Sequence, residues 1–417
     1  VQLFRAKLNS FPDVRKDAVL GVLRFVDVDR RERSANSLPL LSGLVTMLVK
    51  VGLYKSELEP LLLERTSTFY QQESNELLAK TTVSEYLVHC KRRLSEEGQR
   101  CDTCLERGSK AGLLEKTREE LLRRCCEHVL EKGFQDLLVR HCIEDLTRLY
   151  TLFAQIDALP SVRKAWVEAI KHSGGAIMAK AEPADPDEPK AATVPALFDF
   201  QDHLAEVHVK AFQASVDFGV ALKDAFESFL NAGAPNLPAK LLARYVDDVM
   251  RSDRPSAEAE VEQTLDRVMG IFSLLAAKDA FEAFYKKDLS KRLLHQAFVS
   301  LDAEALMVQK LRADCGGGYT SKLEGMFRDV ELSKDLVTSF LASPETAAAV
   351  KEVGTASPDF SVNVIATGLW PSQPPIPDIV YPPVPMKLQD LFAKFYAARF
   401  SDRSLRWSPL WGQCTLR

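Results

Sequence analysis

Lys278-Asp-Ala-Phe-Glu-Ala-Phe-Tyr-Lys-Lys-Asp-Leu-Ser-Lys-Arg-Leu-Leu294 and, further on, Tyr319-Thr-Ser-Lys-Leu-Glu-Gly-Met-Phe-Arg-Asp-Val-Glu-Leu-Ser-Lys-Asp-Leu336 decide how this chain is read. In the first stretch Phe281, Phe284, Tyr285, Leu289 and Leu293 recur every three to four residues. That spacing predicts a helix with one buried stripe. The same helix would carry a basic face of Lys286, Lys287, Lys291 and Arg292, and such faces are most often simply solvated.

Working outward, helix follows helix. Thr82-Val-Ser-Glu85 has the spacing of a capping box and opens a helix carrying Tyr86, Leu87 and Leu94. Leu146, Leu149, Tyr150, Phe153 and Ile156 form a stripe that stops before Pro160. Val162, Ala165, Trp166, Ala169 and Ile170 form the next one, which the pattern ends at Gly174-Gly175. Strand-like alternation is scarce before residue 360, so a bundle or an α-solenoid is expected. Residues 176–195, with Pro183, Pro186, Pro189 and Pro195 among acidic residues and alanines, read as a linker.

Composition narrows the function classes. With 417 residues, about three compact units or an extended array is the expectation. A net charge of −4 calls for neither nucleic acid nor an anionic membrane. No uncharged apolar run is long enough for a transmembrane helix. The first residues lack a signal-peptide layout and an initiator Met, so the start reads as processed or missing. Eight scattered cysteines fit a reducing compartment, the cytosol or nucleus.

No motif supplies chemistry. Cys101-x-x-Cys104, with Cys125, Cys126 and His128, has enough ligands for zinc but lies in a helical pattern without a second Cys-x-x-Cys, so buried thiols are expected. Gly316-Gly317-Gly318 lacks the spacing of a phosphate loop and reads as a helix-to-helix turn. The proline spacing within Pro371–Pro385 reads as a stiff loop, although a groove-binding domain could dock on it. His128, His203 and His208 read as solvated or capping residues. No catalytic, cofactor or metal residues are assigned.

The strings Phe281-Glu-Ala-Phe-Tyr-Lys-Lys-Asp-Leu289 and Thr320-Ser-Lys-Leu-Glu-Gly-Met-Phe327 resemble the signature of the cullin family, scaffolds of modular ubiquitin ligases, and look most like the type-four cullins. Glu64-Arg-Thr-Ser-Thr-Phe-Tyr70, Asp145-Leu-Thr-Arg-Leu-Tyr-Thr-Leu-Phe153 and Ala225-Phe-Glu-Ser-Phe-Leu-Asn231 are similar to parts of cullin repeats. Val362-Asn-Val-Ile365, Trp370-Pro371, Phe395-Tyr396 and Leu405-x-Trp407 follow the family order.

The resemblance implies an all-α, elongated chain: a cullin-repeat α-solenoid, then a four-helix bundle and the start of a small α/β region. Its expected parts are a first-repeat remnant (1–40), a second repeat (41–175), the linker (176–195), a third repeat (196–257), the bundle (258–400) and the α/β start (401–417). It also implies that the adaptor-gripping N-terminal helices and the winged-helix, modifier-accepting end lie outside this span.

By the same resemblance the function is non-catalytic spacing, with no cofactor and a nuclear and cytoplasmic location. The expected partners are a RING-box protein, a substrate-receptor adaptor of β-propeller type and, indirectly, a ubiquitin-conjugating enzyme; neither nucleic acid nor membrane is bound directly. Lys286, Lys287, Lys291 and Arg292 would form the groove that steers the conjugating enzyme, and Leu405, Trp407 and Leu416 would meet the RING partner's added strand. A chain ending at Arg417 would supply only the first part of that sheet and would bind the RING protein weakly. The alternative reading is a helical-repeat tether of another assembly, for vesicle tethering or the cell cycle.

Overall fold

Thr82 starts its helix as the spacing predicts. Its hydroxyl accepts from the Glu85 N–H at 3.3 Å, and the Glu85 carboxylate accepts from the Thr82 N–H at 2.9 Å. The computed structural model describes residues 5, 7, 8, 10–32, 38–181, 192–251, 258–295, 300–343, 361–372 and 383–408. Sixteen α-helices and no strand occur among these described residues.

The chain divides into two units. The first, Val1–Ala176 with Asp199–Phe226, contains α1 (Pro12–Glu32), α2 (Leu38–Val51), α3 (Glu59–Lys80), α4 (Val83–Thr103), α5 (Lys110–Arg118), α6 (Cys126–Val139) and α7 (Ile143–Ala154). Most of α8 (Leu159–Ala181), and parts of α9 (Thr193–Lys210) and α10 (Val216–Leu230), also belong to it. The second unit, Ile177–Phe198 with Glu227–Arg417, contains α11 (Leu237–Arg251), α12 (Glu258–Phe272), α13 (Lys278–His295), α14 (Leu301–Cys315), α15 (Gly317–Leu341) and α16 (Pro383–Arg399).

In the first unit α5 packs on α3 and α4, and α4 continues onto α6 and α7. The inner stripe of α4 begins apolar, with Tyr86, Leu87 and Cys90, and continues as Arg93, Glu97 and Arg100, all buried. Burial alone would raise the Glu97 carboxyl, but the charges of Arg30 and Arg100 hold it at about 2. Arg30 donates to Glu97 at 2.8 Å and to Thr66 at 2.7 Å, Tyr70 donates to Glu97 at 2.5 Å, and Arg100 donates to Asp29 at 2.6 Å. Each charge taken from water therefore meets an opposite one, the condition under which buried ions are tolerated.

Close approach matters where α6 crosses the start of α4. A Cβ on Gly133 would lie 2.4 Å from Val83 Cγ2, so only glycine fits. Gly174 and Gly175 do not end their helix, contrary to the sequence reading: α8 runs on to Ala181. Glycine stops a helix when it turns left-handed, and neither residue has positive φ. Residues 176–181 and 193–195 of the expected linker are therefore helical, and 182–191 lie outside the described residues. Gly316, with φ 83°, makes the turn from α14 to α15.

In the second unit α11 packs on α13, α12 on α14, and α15 on both α13 and α14. Residues 361–370 then lie along α15. Ser333 donates to the Val364 carbonyl at 3.2 Å and accepts from its N–H at 2.8 Å. One oxygen of Asp329 accepts from the Ala366 N–H at 2.7 Å and the Trp370 indole at 2.9 Å. Gly325 admits Leu369, whose Cδ1 would lie 2.7 Å from an added Cβ.

Candidate partner-docking site

The stripe of α13 is buried at Phe281, Tyr285, Leu289 and Leu293, whereas Phe284 is only half-buried. Arg292 corrects the sequence reading more sharply. It was grouped with the basic face, yet its side chain is 0% exposed. Seven residues after Tyr285, it falls on the inner stripe rather than the outer face. There its guanidinium bonds Glu304 of α14 through two nitrogens, one at 3.0 Å, and Asp247 of α11 at 2.5 Å. Tyr285 donates to the same Glu304 carboxylate at 3.2 Å, and its ring centroid lies 5.5 Å below the Arg292 carbon. Burial, and then the neighbouring Glu304 charge, push the Tyr285 hydroxyl far above its ordinary range.

The outer face of α13 therefore keeps three cations. Lys287 is exposed, Lys286 and Lys291 are partly so, and Lys291 lies 3.6 Å from Asp288. Asp248 of α11 senses Asp288 as well: burial, then Asp247 and Asp288, raise its carboxyl. The face is thus a lysine cluster with acidic neighbours, not a continuous cationic stripe.

Leu405 and Trp407 do come together. Both are partly buried against the cluster of Phe340 from α15 with Phe392 and Tyr396 from α16. The Phe340 and Phe392 rings are 5.2 Å apart edge to face, and Trp407 stands 6.2 Å from Phe392. Ser404, Arg406 and Ser408 are exposed between them, an alternation of period two. That is the side-chain pattern of a strand with one face covered, although residues 403–408 form no ladder among the described residues. Leu416, the third residue expected here, lies outside the described residues, as do Leu410 and Cys414.

The remaining candidates are placed elsewhere. Cys101 and Cys104 are buried where α4 ends, in the core formed with α1, α2 and the Tyr54 turn, and burial pushes the Cys101 thiol up to about 11. Among the described residues no group of three or more His, Cys, Asp and Glu side chains could hold a metal ion. His128 is exposed. His208 meets the Ser215 carbonyl at 2.9 Å. His203 meets the Leu138 carbonyl in the last turn of α6 at 2.9 Å, a capping contact, and is also in hydrogen-bond contact with His141.

Sequence reasoning missed the ionic locks, Arg292 with Asp247 and Glu304 above all. A signal was present: Glu304 precedes Met307, Val308 and Leu311 on the buried side of α14, a carboxylate in an apolar register.

Comparison with known proteins settles the family. The cullin α-solenoid domain model matches residues 1–337. The chain belongs to the cullin family. It is 36% identical to human Cullin-4A over all of this chain and 53% of that relative. Cullin-4 of Dictyostelium discoideum is 33% identical over 91% of this chain and 45% of that protein. Cullin-1 of the same organism is 32% identical over 95% and 53%. This cullin is most like the type-four members, and the chain spans about half the length of the curated relatives it matches.

Proposed function

We propose that this cullin is the non-catalytic spacer of a ubiquitin ligase. It holds a substrate-receptor adaptor of β-propeller type on one side and a RING-box protein with its charged conjugating enzyme on the other. A spacer contributes effective concentration and orientation, both lost when its elements flex. The observation that carries the reading is the match to the cullin α-solenoid model along residues 1–337, in a chain whose helices are tied by buried ion pairs such as Arg30–Glu97 and Arg292–Glu304.

The aromatic platform under Leu405 and Trp407 is the surface we assign to the RING-box protein. Its residues alternate in exposure, so an added strand could pair with the backbone while the apolar side chains stay on the platform. Lys286, Lys287 and Lys291 are assigned to steering the acidic part of the conjugating enzyme; Arg292 is left out because it is buried. The proposed location is nuclear and cytoplasmic, where such ligases work.

Immunoprecipitation of the native protein tests the assignment. A RING-box protein and a β-propeller adaptor should be recovered together. Recovery of vesicle-tethering or other scaffold subunits, with neither of those two, would overturn it.

A further inference from the structure

The first unit holds a polar cluster that the spacer reading does not use. His141 sits in the turn between α6 and α7 with φ 58°, a left-handed conformation. His203 and Glu206 lie one turn apart on α9. The Nδ1 atoms of the two imidazoles are in hydrogen-bond contact, and the ring centroids are 4.2 Å apart. His203 Nε2 lies 2.9 Å from the Leu138 carbonyl, and His141 Nε2 lies 3.0 Å from Glu206 Oε2.

These partners fix the hydrogen count. A carbonyl and a carboxylate only accept, so each Nε2 carries a hydrogen. The Nδ1–Nδ1 contact needs one donor and one acceptor. Two neutral rings would then oppose two lone pairs. Two imidazoliums would oppose two N–H groups and two charges. A single added proton satisfies every contact.

We propose that His141, His203 and Glu206 form a one-proton latch that fastens α9 to the α6–α7 turn and opens when the pair either loses that proton or takes up a second. The shared proton sits on His141 Nδ1, facing the lone pair of His203. Burial, and next the charge on His141, hold the His203 imidazole below its ordinary value, in keeping with its role as acceptor. Glu206 Oε2 faces the charged ring, and its other oxygen is held by Lys210 of the same helix at 2.6 Å. From the turn, Arg140 and Cys142 flank His141, and the Cys142 thiol points to the Arg140 carbonyl at 3.9 Å.

The latch differs from an ordinary histidine switch in its shape against pH. A lone imidazolium–carboxylate pair would only weaken as pH rises. Here the depressed His203 value adds a second limb: stability lost as pH falls through it, because the second proton is unwelcome. The fastening is strongest between the two limbs.

The test is a double-mutant cycle on the full chain, with His141→Ala, His203→Ala and both together. The reading is hydrogen-exchange protection of the α9 amides from pH 5 to 8.5, corrected for intrinsic rates. The expected coupling between the two histidines is about tenfold at its maximum and decays on both sides. A coupling that is flat, or that changes in one direction only, would overturn the latch. Imidazole ¹⁵N shifts of the unmodified chain serve if a variant fails to fold. In mid-range, His203 Nδ1 should be bare while His141 carries hydrogen on both nitrogens; two rings titrating independently as free histidines would overturn it equally.

Discussion

Arg292 Nη1 lies 2.5 Å from Asp247 Oδ1 with both side chains closed off from water, so α13 is tied to α11 by a charge that only protein groups solvate. Glu304 completes the arrangement from α14. One cation thus spans three helices of the second unit, and its removal takes the charge from Glu304 and leaves Asp247 with Arg251.

That arrangement predicts an asymmetric mutational response. Arg292→Met should cost about 3–5 kcal/mol, because the buried Glu304 loses the Arg292 charge while Asp247 keeps only its pair with Arg251. Arg292→Met combined with Asp247→Asn and Glu304→Gln should recover much of the loss. Urea unfolding of the three proteins measures this; a single-variant loss under about 1 kcal/mol would mean that water reaches the carboxylates.

The two neighbouring phenylalanines of α13 should behave differently. Phe281 is 0% exposed and contacts the Phe272 ring at 4.9 Å, so Phe281→Ala should destabilise by about 3–5 kcal/mol. Phe284 is half-buried, and Phe284→Ala should cost clearly less. Equal losses in thermal unfolding would show that the stripe had been assigned to the wrong face.

Acid should unfasten the first unit through Glu97. Its carboxyl is held at about 2, below the ordinary value near 4.3. A depressed carboxyl contributes stability that is present above the unfolded value and lost as pH falls toward the folded one. Glu97→Gln should therefore be strongly destabilised at pH 7, with the gap to the native sequence narrowing between about pH 4 and 2. Melting temperatures across that range check the sign; a gap that widens in acid contradicts it.

Glycine to alanine usually stabilises a helix interior by up to about 1 kcal/mol. Gly133→Ala should do the opposite, costing about 1–3 kcal/mol, since the new methyl meets Val83 Cγ2 at 2.4 Å. Val83→Ala in the same chain should relieve it. If Gly133→Ala alone is neutral, α4 and α6 are not held at the close approach described.

Reversing Lys286, Lys287 and Lys291 to Glu tests the proposed steering face. In a reconstituted ligase the rate of ubiquitin transfer should fall several-fold at low salt, and the difference should collapse toward 0.5 M salt, where the Debye length is only about 4 Å. A salt-independent loss would point to misfolding instead.

The helical class, the capping box at Thr82 and the signature strings were legible because each depends on neighbours within a few residues. The aromatic stripe of α13 was legible for the same reason. Arg292 was misread because residue type was weighed above position: the stripe that buries Tyr285 also buries the residue seven places on, and its partners come from 45 residues before and 12 after. The His141–His203 contact was invisible for a similar cause, its members being 62 positions apart. Gly174-Gly175 misled in the other direction, since a glycine pair permits a helix stop without requiring one.

Asp329 and Ser333 stand one helical turn apart on α15, and each hooks a different part of residues 361–370. Two hooks at a fixed interval act like the pins of a template. The segment cannot slide by one position without releasing both, because the N–H groups of Val364 and Ala366 and the indole of Trp370 would all face the wrong acceptor. A stretch without regular structure is thereby indexed to a helix as strictly as a strand is to its neighbour. Inserting one residue between Ser333 and Asp329 should leave α15 helical and yet displace the entire path that follows it.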